Sequence, residues 1–85
     1  MDIEFDPAKD AANVAKHGLS LAAAVDFDIR GFLRDSRRDY AEERINAYGL
    51  LYGRTYCLTF VVRAGRLRVI SLRRAHHKEY RRHVF

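Results

Sequence analysis

The chain is 85 residues long, 48% hydrophobic and 32% charged, with a formal net charge of +5. That length suits one small domain, residues 1–85, with a core limited by its surface. No apolar run is long enough to span a membrane, the acidic start "MDIEFD" does not resemble a signal peptide, and a lone cysteine excludes an internal disulfide.

"DIEFD" alternates apolar and acidic residues, which predicts a short strand with Ile3 and Phe5 on its buried face. "DPAKDAANVAKHG" reads as a helix. Asp6 caps it, Pro7 suits its first position, Lys16 and His17 complement its dipole, and Gly18 stops it. Ala8, Ala11, Ala12, Val14 and Ala15 give it a small-residue packing face. "SLAAAVDFD" predicts a second short helix, capped by Ser20, with Leu21, Ala24 and Val25 as its stripe. The stretch from Ile29 to Tyr40 fits a short charged edge strand followed by a loop.

Three strands follow: "RINAYGLLY", "TYCLTFVV" and "RLRVISLR". The links "GR" and "RAG" are short enough for antiparallel hairpins. Cys57, inside an apolar run, reads as a small buried side chain in a reducing, cytoplasmic protein. "AHHKEYRRHV" closes the chain as a helix of about three turns. His77, Tyr80 and Val84 make its docking face, and Arg74, Lys78 and Arg81 make a charged one. The expected class is α+β: two N-terminal helices packed on a three- to four-stranded antiparallel sheet, with a basic C-terminal helix.

The charge is unevenly placed. Residues 1–44 hold seven Lys/Arg against ten Asp/Glu, and residues 45–85 hold nine against one. A net of −3 in the first part and +8 in the second points to a polyanionic partner for the C-terminal half, a nucleic acid or an acidic protein.

Four pieces of the chain, "EFDPAK", "AANVAKHGLS", "EERINAYG" and "GRLRVISLRRA" followed by Glu79, resemble in their order the BrnT toxins of type II toxin–antitoxin systems. The resemblance implies a fold like that of the RelE/ParE toxins and a ribonuclease that arrests translation. It implies as partners RNA and a cognate, BrnA-like, DNA-binding antitoxin, whose complex with the toxin binds its own promoter. No cofactor, metal or membrane is implied. The chain departs from the family at Leu72, where a small residue is common, and in a short second helix and following loop.

Metal-free RNA cleavage needs a base for the 2′-OH proton, cations for the phosphorane charge and an acid for the 5′ leaving oxygen. Arginine suits the second task through its permanent charge and planar fork. In a regular strand "RLRVISLRR" places Arg68 and Arg73 on opposite faces, so without a bulge they cannot grip one phosphate. Arg73 is the first candidate for a phosphate clamp and Arg63, closing the preceding strand, the second.

Each candidate also has a plainer reading. Glu79, the sole acid after Glu43, is either a salt-bridge partner or a general base. Lys16 and His17, matching the family's "KHG", either cap a helix or form a cationic wall in which His17 joins the catalytic group. Glu43 and Arg44 read as a structural ion pair. Lys16, Arg68, Arg74, Lys78, Arg81 and Arg82 are the candidate RNA-binding cations. His76, Glu79 and His83 share a helical stripe, for which a basic helix meeting RNA or antitoxin is preferred to a metal site. The sheet tyrosines and Phe60 are either core or stacking surfaces for bases. The alternatives to a ribonuclease are a non-catalytic nucleic-acid or partner-binding module and a gyrase-directed toxin on the same fold.

Overall fold

A computed structural model describes residues 2–35 and 43–84. In chain order the elements are β1 (Ile3–Glu4), α1 (Pro7–His17), a 3₁₀ helix (Leu21–Asp26), β2 (Asp28–Asp35), β3 (Arg44–Leu51), β4 (Arg54–Arg63), β5 (Arg66–Arg74) and α2 (His77–His83). The strands form one five-stranded sheet in the order β1-β5-β4-β3-β2. Strands β2 to β5 make an antiparallel meander, while β1 pairs in parallel with β5. The α+β class stands. The sheet has five strands rather than three or four, and one α-helix rather than two precedes it. The loop expected before Tyr40, and Glu42 of "EERINAYG", lie outside the described residues.

The hairpins follow from turn chemistry. Tyr52 and Gly53, and again Ala64 and Gly65, all have positive φ. Two consecutive left-handed residues are the signature of a two-residue turn whose twist matches the flanking strands.

The first helix begins and ends where its caps dictate. The Asp6 carboxylate accepts from the Ala8 N–H, Pro7 opens the helix, and Gly18 closes it at φ 73°. Its packing face differs from the expected one. Ala8, Ala11, Ala12, Val14 and Ala15 are all exposed, and the only buried residue of α1 is Asn13. The Asn13 amide donates to the carbonyls of Leu19 and Leu72, and its oxygen accepts from the Leu72 N–H. One side chain thus satisfies both backbone groups of an edge residue, as a neighbouring strand would. Asp10 adds a second tie, accepting from the Ser20 hydroxyl and the Leu21 N–H.

The core instead draws on the segment after α1. "SLAAAVD" winds as a 3₁₀ helix capped by Ser20, so its period is three residues and not 3.6. Leu21, Ala24 and Phe27 therefore point together into the core, and Val25, expected on that stripe, is half exposed. They join Ala47, Leu51, Leu58, Phe60, Val69 and Leu72 in one cluster, with Ile3 and Phe5 at its margin.

On the opposite face a smaller cluster of Tyr48, Cys57 and Ala75 packs under Leu33, Tyr80 and Val84. The Cys57 thiol is 1% exposed, and burial pushes its pKa up, as expected of a structural cysteine. Helix α2 is seven residues long, about two turns and not three. Tyr80 and Val84 dock as expected, whereas His77 faces solvent and His83 takes its place. The close seat of α2 depends on Gly31, since a Cβ there would collide with the His83 carbonyl.

Candidate functional site

The face under α2 carries a cleft of about 540 Å³. Strand register builds its floor. Asn46, Thr59 and Ser71 form one row across β3, β4 and β5, and Tyr48, Cys57 and Arg73 form the next. Leu33, Asp35 and Arg44 extend the lining on one side, and Glu79, Arg82 and His83 of α2 form a wall.

A bulge in β5 decides which side chains reach this floor. The pairing with β4 slips between Val69 and Ser71, leaving Ile70 as the extra residue. Val69 and Leu72 both enter the main core as a result. Ser71 and Arg73 turn to the cleft face, the same face as Arg68. The condition for grouping Arg68 with Arg73 is therefore met, but Arg68, in the row of Val61 and Arg44, is not part of the cleft lining and is ion-paired to Glu4 at 2.8 Å. Arg66 is likewise bound, to Asp2 and Glu4. Part of the C-terminal positive charge is thus met by the acidic N-terminal strand, which runs alongside it.

Arg73 sits at the centre. Its Nη1 and Nη2 donate to the two carboxylate oxygens of Glu79 at 3.0 and 2.7 Å, and Nη1 also donates to the Arg74 carbonyl. Glu79 accepts as well from the Tyr48 hydroxyl at 3.0 Å. Glu79 thus takes the end of the guanidinium fork. The Nε–H and the second Nη2–H form the other bidentate edge, and neither has a partner among the described residues. The Tyr48 ring stacks on His83, with centroids 4.6 Å apart.

The electrostatics agree with this geometry. The Arg73 hydrogen bonds, opposed by burial and reinforced by Tyr48, hold the Glu79 carboxyl at about 2. At neutral pH Glu79 is an ionised anchor with little appetite for a proton. The same pair raises Arg73 further above its ordinary value. Burial, with help from Cys57 and Glu79, raises the Tyr48 hydroxyl, which stays a neutral donor.

A second, shallower cleft opens at the end of α1, lined by Lys9, Asn13, Lys16, His17, Ile70 and Ser71. It shares Ile70 and Ser71 with the first, so the two clefts adjoin at the bulge and together form a groove. His17 has its pKa lowered, chiefly by desolvation and then by the charges of Lys16 and Arg73. It is a neutral imidazole at pH 7 and within electrostatic reach of Arg73.

The sequence candidates therefore separate. Arg73, Glu79 and Arg82 line the main cleft, and Lys16 and His17 line its extension. Arg63 does not join them. It pairs with Arg66 at the far hairpin, six residues along β4 from the partner of Arg73, or roughly 20 Å away. Arg74 points to the opposite face, where it lies over the Tyr56 ring and donates to the Thr55 carbonyl. Lys78 and Arg81 are exposed. Glu43 pairs with Arg34. The stripe His76, Glu79 and His83 does not converge, because Glu79 faces Arg73 and His83 faces Tyr48. Among the described residues no three His, Cys, Asp or Glu gather as a metal site. Asn46 and Thr59 are cleft residues that sequence reasoning left out, while Tyr48 was read only as core or stacking surface and His83 only as part of a helical stripe. For Tyr48 the signal was present, an aromatic hydroxyl on a strand, but it reads as core until its partner on α2 is known.

Comparison with known proteins bears on this groove. The model of a family described as "Ribonuclease toxin, BrnT, of type II toxin-antitoxin system" matches residues 5–79. The chain belongs to this family. The crystal structure of the Brucella abortus ribonuclease toxin BrnT superposes with a TM-score of 0.65 at 27% identity, covering 91% of this chain and 99% of that one. No match was found among curated protein sequences. Membership makes this a toxin of the type II class, whose members imply an RNA substrate and an antitoxin. The matched span, 5–79, takes in both α1 and Glu79, so the whole groove except Arg82 and His83 lies within it. No helix of the described residues is long and apolar enough to cross a membrane.

Proposed function

We propose that this chain is a metal-independent RNA endonuclease that cuts in the groove between α1 and α2 and so inhibits translation. The observation that carries the proposal is Arg73, held end-on by Glu79 in a cleft with its second bidentate edge open. That edge matches two non-bridging oxygens of a phosphodiester. Arg82 and Lys16, at opposite ends of the groove, fit the flanking phosphates.

In this scheme neutral His17 accepts the 2′-OH proton while the 2′ oxygen attacks phosphorus. Arg73 stabilises the phosphorane, and the bond from phosphorus to the 5′ oxygen breaks, leaving a 2′,3′-cyclic phosphate. His83, on the α2 wall, is placed to protonate the departing 5′ oxygen. Glu79 positions Arg73 and takes no proton. Of the two carboxylates that line the main cleft, Asp35 lies away on β2 and Glu79 is already bound to Arg73, so the donor set favours cationic over metal-ion catalysis.

In the same reading a BrnA-like antitoxin with a DNA-binding domain neutralises the toxin in the cytoplasm, and their complex binds its own promoter. Exposed Lys78 and Arg81 on α2 offer it a basic surface next to the cleft, and Arg74 extends the charge to the opposite face of the sheet. Neutralising these three is expected to weaken the complex, seen by titration of antitoxin against wild type and variant.

The activity is tested by incubating purified protein with total RNA and EDTA, with Arg73→Ala alongside. Cleavage by wild type and not by the variant is the expected result. RNA binding without cleavage by either protein would leave a non-catalytic binding module. Intact RNA with DNA damage on induction would point to gyrase.

A further inference from the structure

The cleft floor offers a group that phosphate chemistry does not use. Asn46 lies one row along the sheet from Tyr48 and Arg73, beside Thr59 and across β4 from Ser71. Strand spacing and rise put its Cα roughly 12 Å from that of Arg73, a separation a nucleotide bridges from phosphate to base edge. The Thr59 hydroxyl donates to the Asn46 side-chain oxygen at 2.7 Å. In this arrangement the amide oxygen faces Thr59 and the residue lines the cleft, which leaves the two Nδ2 N–H groups as its free donors. They have no other partner among the described residues. A neutral amide presenting donors is drawn to the acceptor edge of a base and not, by charge, to phosphate.

We propose that Asn46, locked by Thr59, reads the nucleobase next to the phosphate held by Arg73 and selects keto bases, uracil or guanine, over amino bases, cytosine or adenine. The inference rests on the reading of the cleft as the RNA site and adds its specificity. The chemistry is direct. Uracil O4 and guanine O6 accept from an N–H donor, whereas the exocyclic amines of cytosine and adenine present hydrogens to it and leave the part-buried donors unpaired at that position. His83, stacked on the buried Tyr48 ring, forms the wall on which that base is seated.

Uracil and cytosine differ at the 4-position and at the N3 proton, so a pair of non-cleavable probes isolates the contact. Binding of fluorescent tetramers of deoxyuridine and deoxycytidine is measured by anisotropy for wild type, Asn46→Asp and Thr59→Val. Wild type is expected to bind the deoxyuridine tetramer about five- to tenfold more tightly. Asn46→Asp replaces both donors with acceptors and is expected to reverse the preference, whatever its effect on overall affinity. Thr59→Val frees the amide to rotate and is expected to bring the two affinities together.

Equal binding of both tetramers by wild type would overturn the inference and leave the RNA cleft standing. An unchanged preference in both variants would also overturn it, by placing the reading elsewhere. Failure of wild type to bind either tetramer would take the cleft reading down with it.

Discussion

Helices α1 and α2 lie against the sheet at different places, and neither fully buries an apolar side chain. Both are tied down through polar groups, but the ties differ in kind. Asn13 of α1 is neutral, 5% exposed and fully engaged with the backbone of Leu72, which is itself 0% exposed. Glu79 of α2 is charged, borders open solvent and grips a guanidinium that keeps one edge unused. The first tie closes a strand edge and completes the fold. The second orients a cation without consuming it. Buried neutral amides with every bond made serve stability, whereas a part-exposed ion pair adds little to it and is better placed to meet a ligand.

The comparison breaks most visibly at Asn13. Asn13→Ala leaves the Leu72 N–H and carbonyl buried and unpaired. It is expected to cost ~4 kcal/mol, a large share of the stability of a domain this size, read as a fall in the urea midpoint. The fraction that stays folded should still bind RNA. Arg73→Ala is expected to do the opposite. Cleavage should fall by about 10²- to 10³-fold in kcat/KM, with the urea midpoint shifted far less than by Asn13→Ala.

Gly31→Ala tests the seat of α2. The added methyl displaces the last turn carrying His83, and a loss of ~2 kcal/mol is expected together with weaker RNA binding. Glu79→Gln sharpens the comparison further. The folded carboxyl titrates at about 2 against an ordinary 4.5, so its contribution is present above pH 4.5 and disappears as pH falls toward 2. Glu79→Gln should flatten the stability profile across that window and lower kcat/KM about tenfold, less than Arg73→Ala does. His17, the base of the scheme, is read in the pH profile as well as in the rate, where its loss is expected to lower kcat/KM by about 10²-fold or more. Desolvation, then the charges of Lys16 and Arg73, lower its pKa from the ordinary imidazole value of about 6.5. The acid limb of kcat/KM should therefore lie below that value and vanish in His17→Gln.

Much of the fold was legible from local chemistry. The caps of α1 are written in Asp6, Pro7 and Gly18, and the three long strands in their β-branched and aromatic runs. What failed were inferences that needed a partner. The alanines of α1 look like a packing face, yet the buried residue is the one polar amide among them, and its role depends on Leu72, 59 residues away. A 3.6 period assigned Val25 to the core in place of Phe27, although the spacing of Leu21, Ala24 and Phe27 is the period of a 3₁₀ helix. Alternation along β5 held only as far as the bulge at Ile70, which a reading that assumes a regular strand does not foresee. The parallel pairing of β1 is a long-range contact with no local signature.

The site was legible in the same uneven way. Arg73 and Glu79 stood out as a clamp candidate and an isolated acid, six residues apart across the link to α2. Their bidentate meeting, and the arrival of Tyr48 from β3, required the sheet. Arg63 looked equivalent to Arg73 by type and by its place at a strand end, and only the direction of its hairpin separates them.

The central claim is that RNA is held by the open edge of Arg73 in the groove across the β5 bulge. It is tested most directly by following the side-chain Nε–H signals of the arginines in NMR spectra while a 2′-O-methyl RNA oligomer is added. The account predicts that Arg73 shifts most and saturably, with Ser71, His17 and His83 responding and Arg63 silent. Large shifts at Arg63, Arg66 or Arg74 with Arg73 unmoved would contradict it.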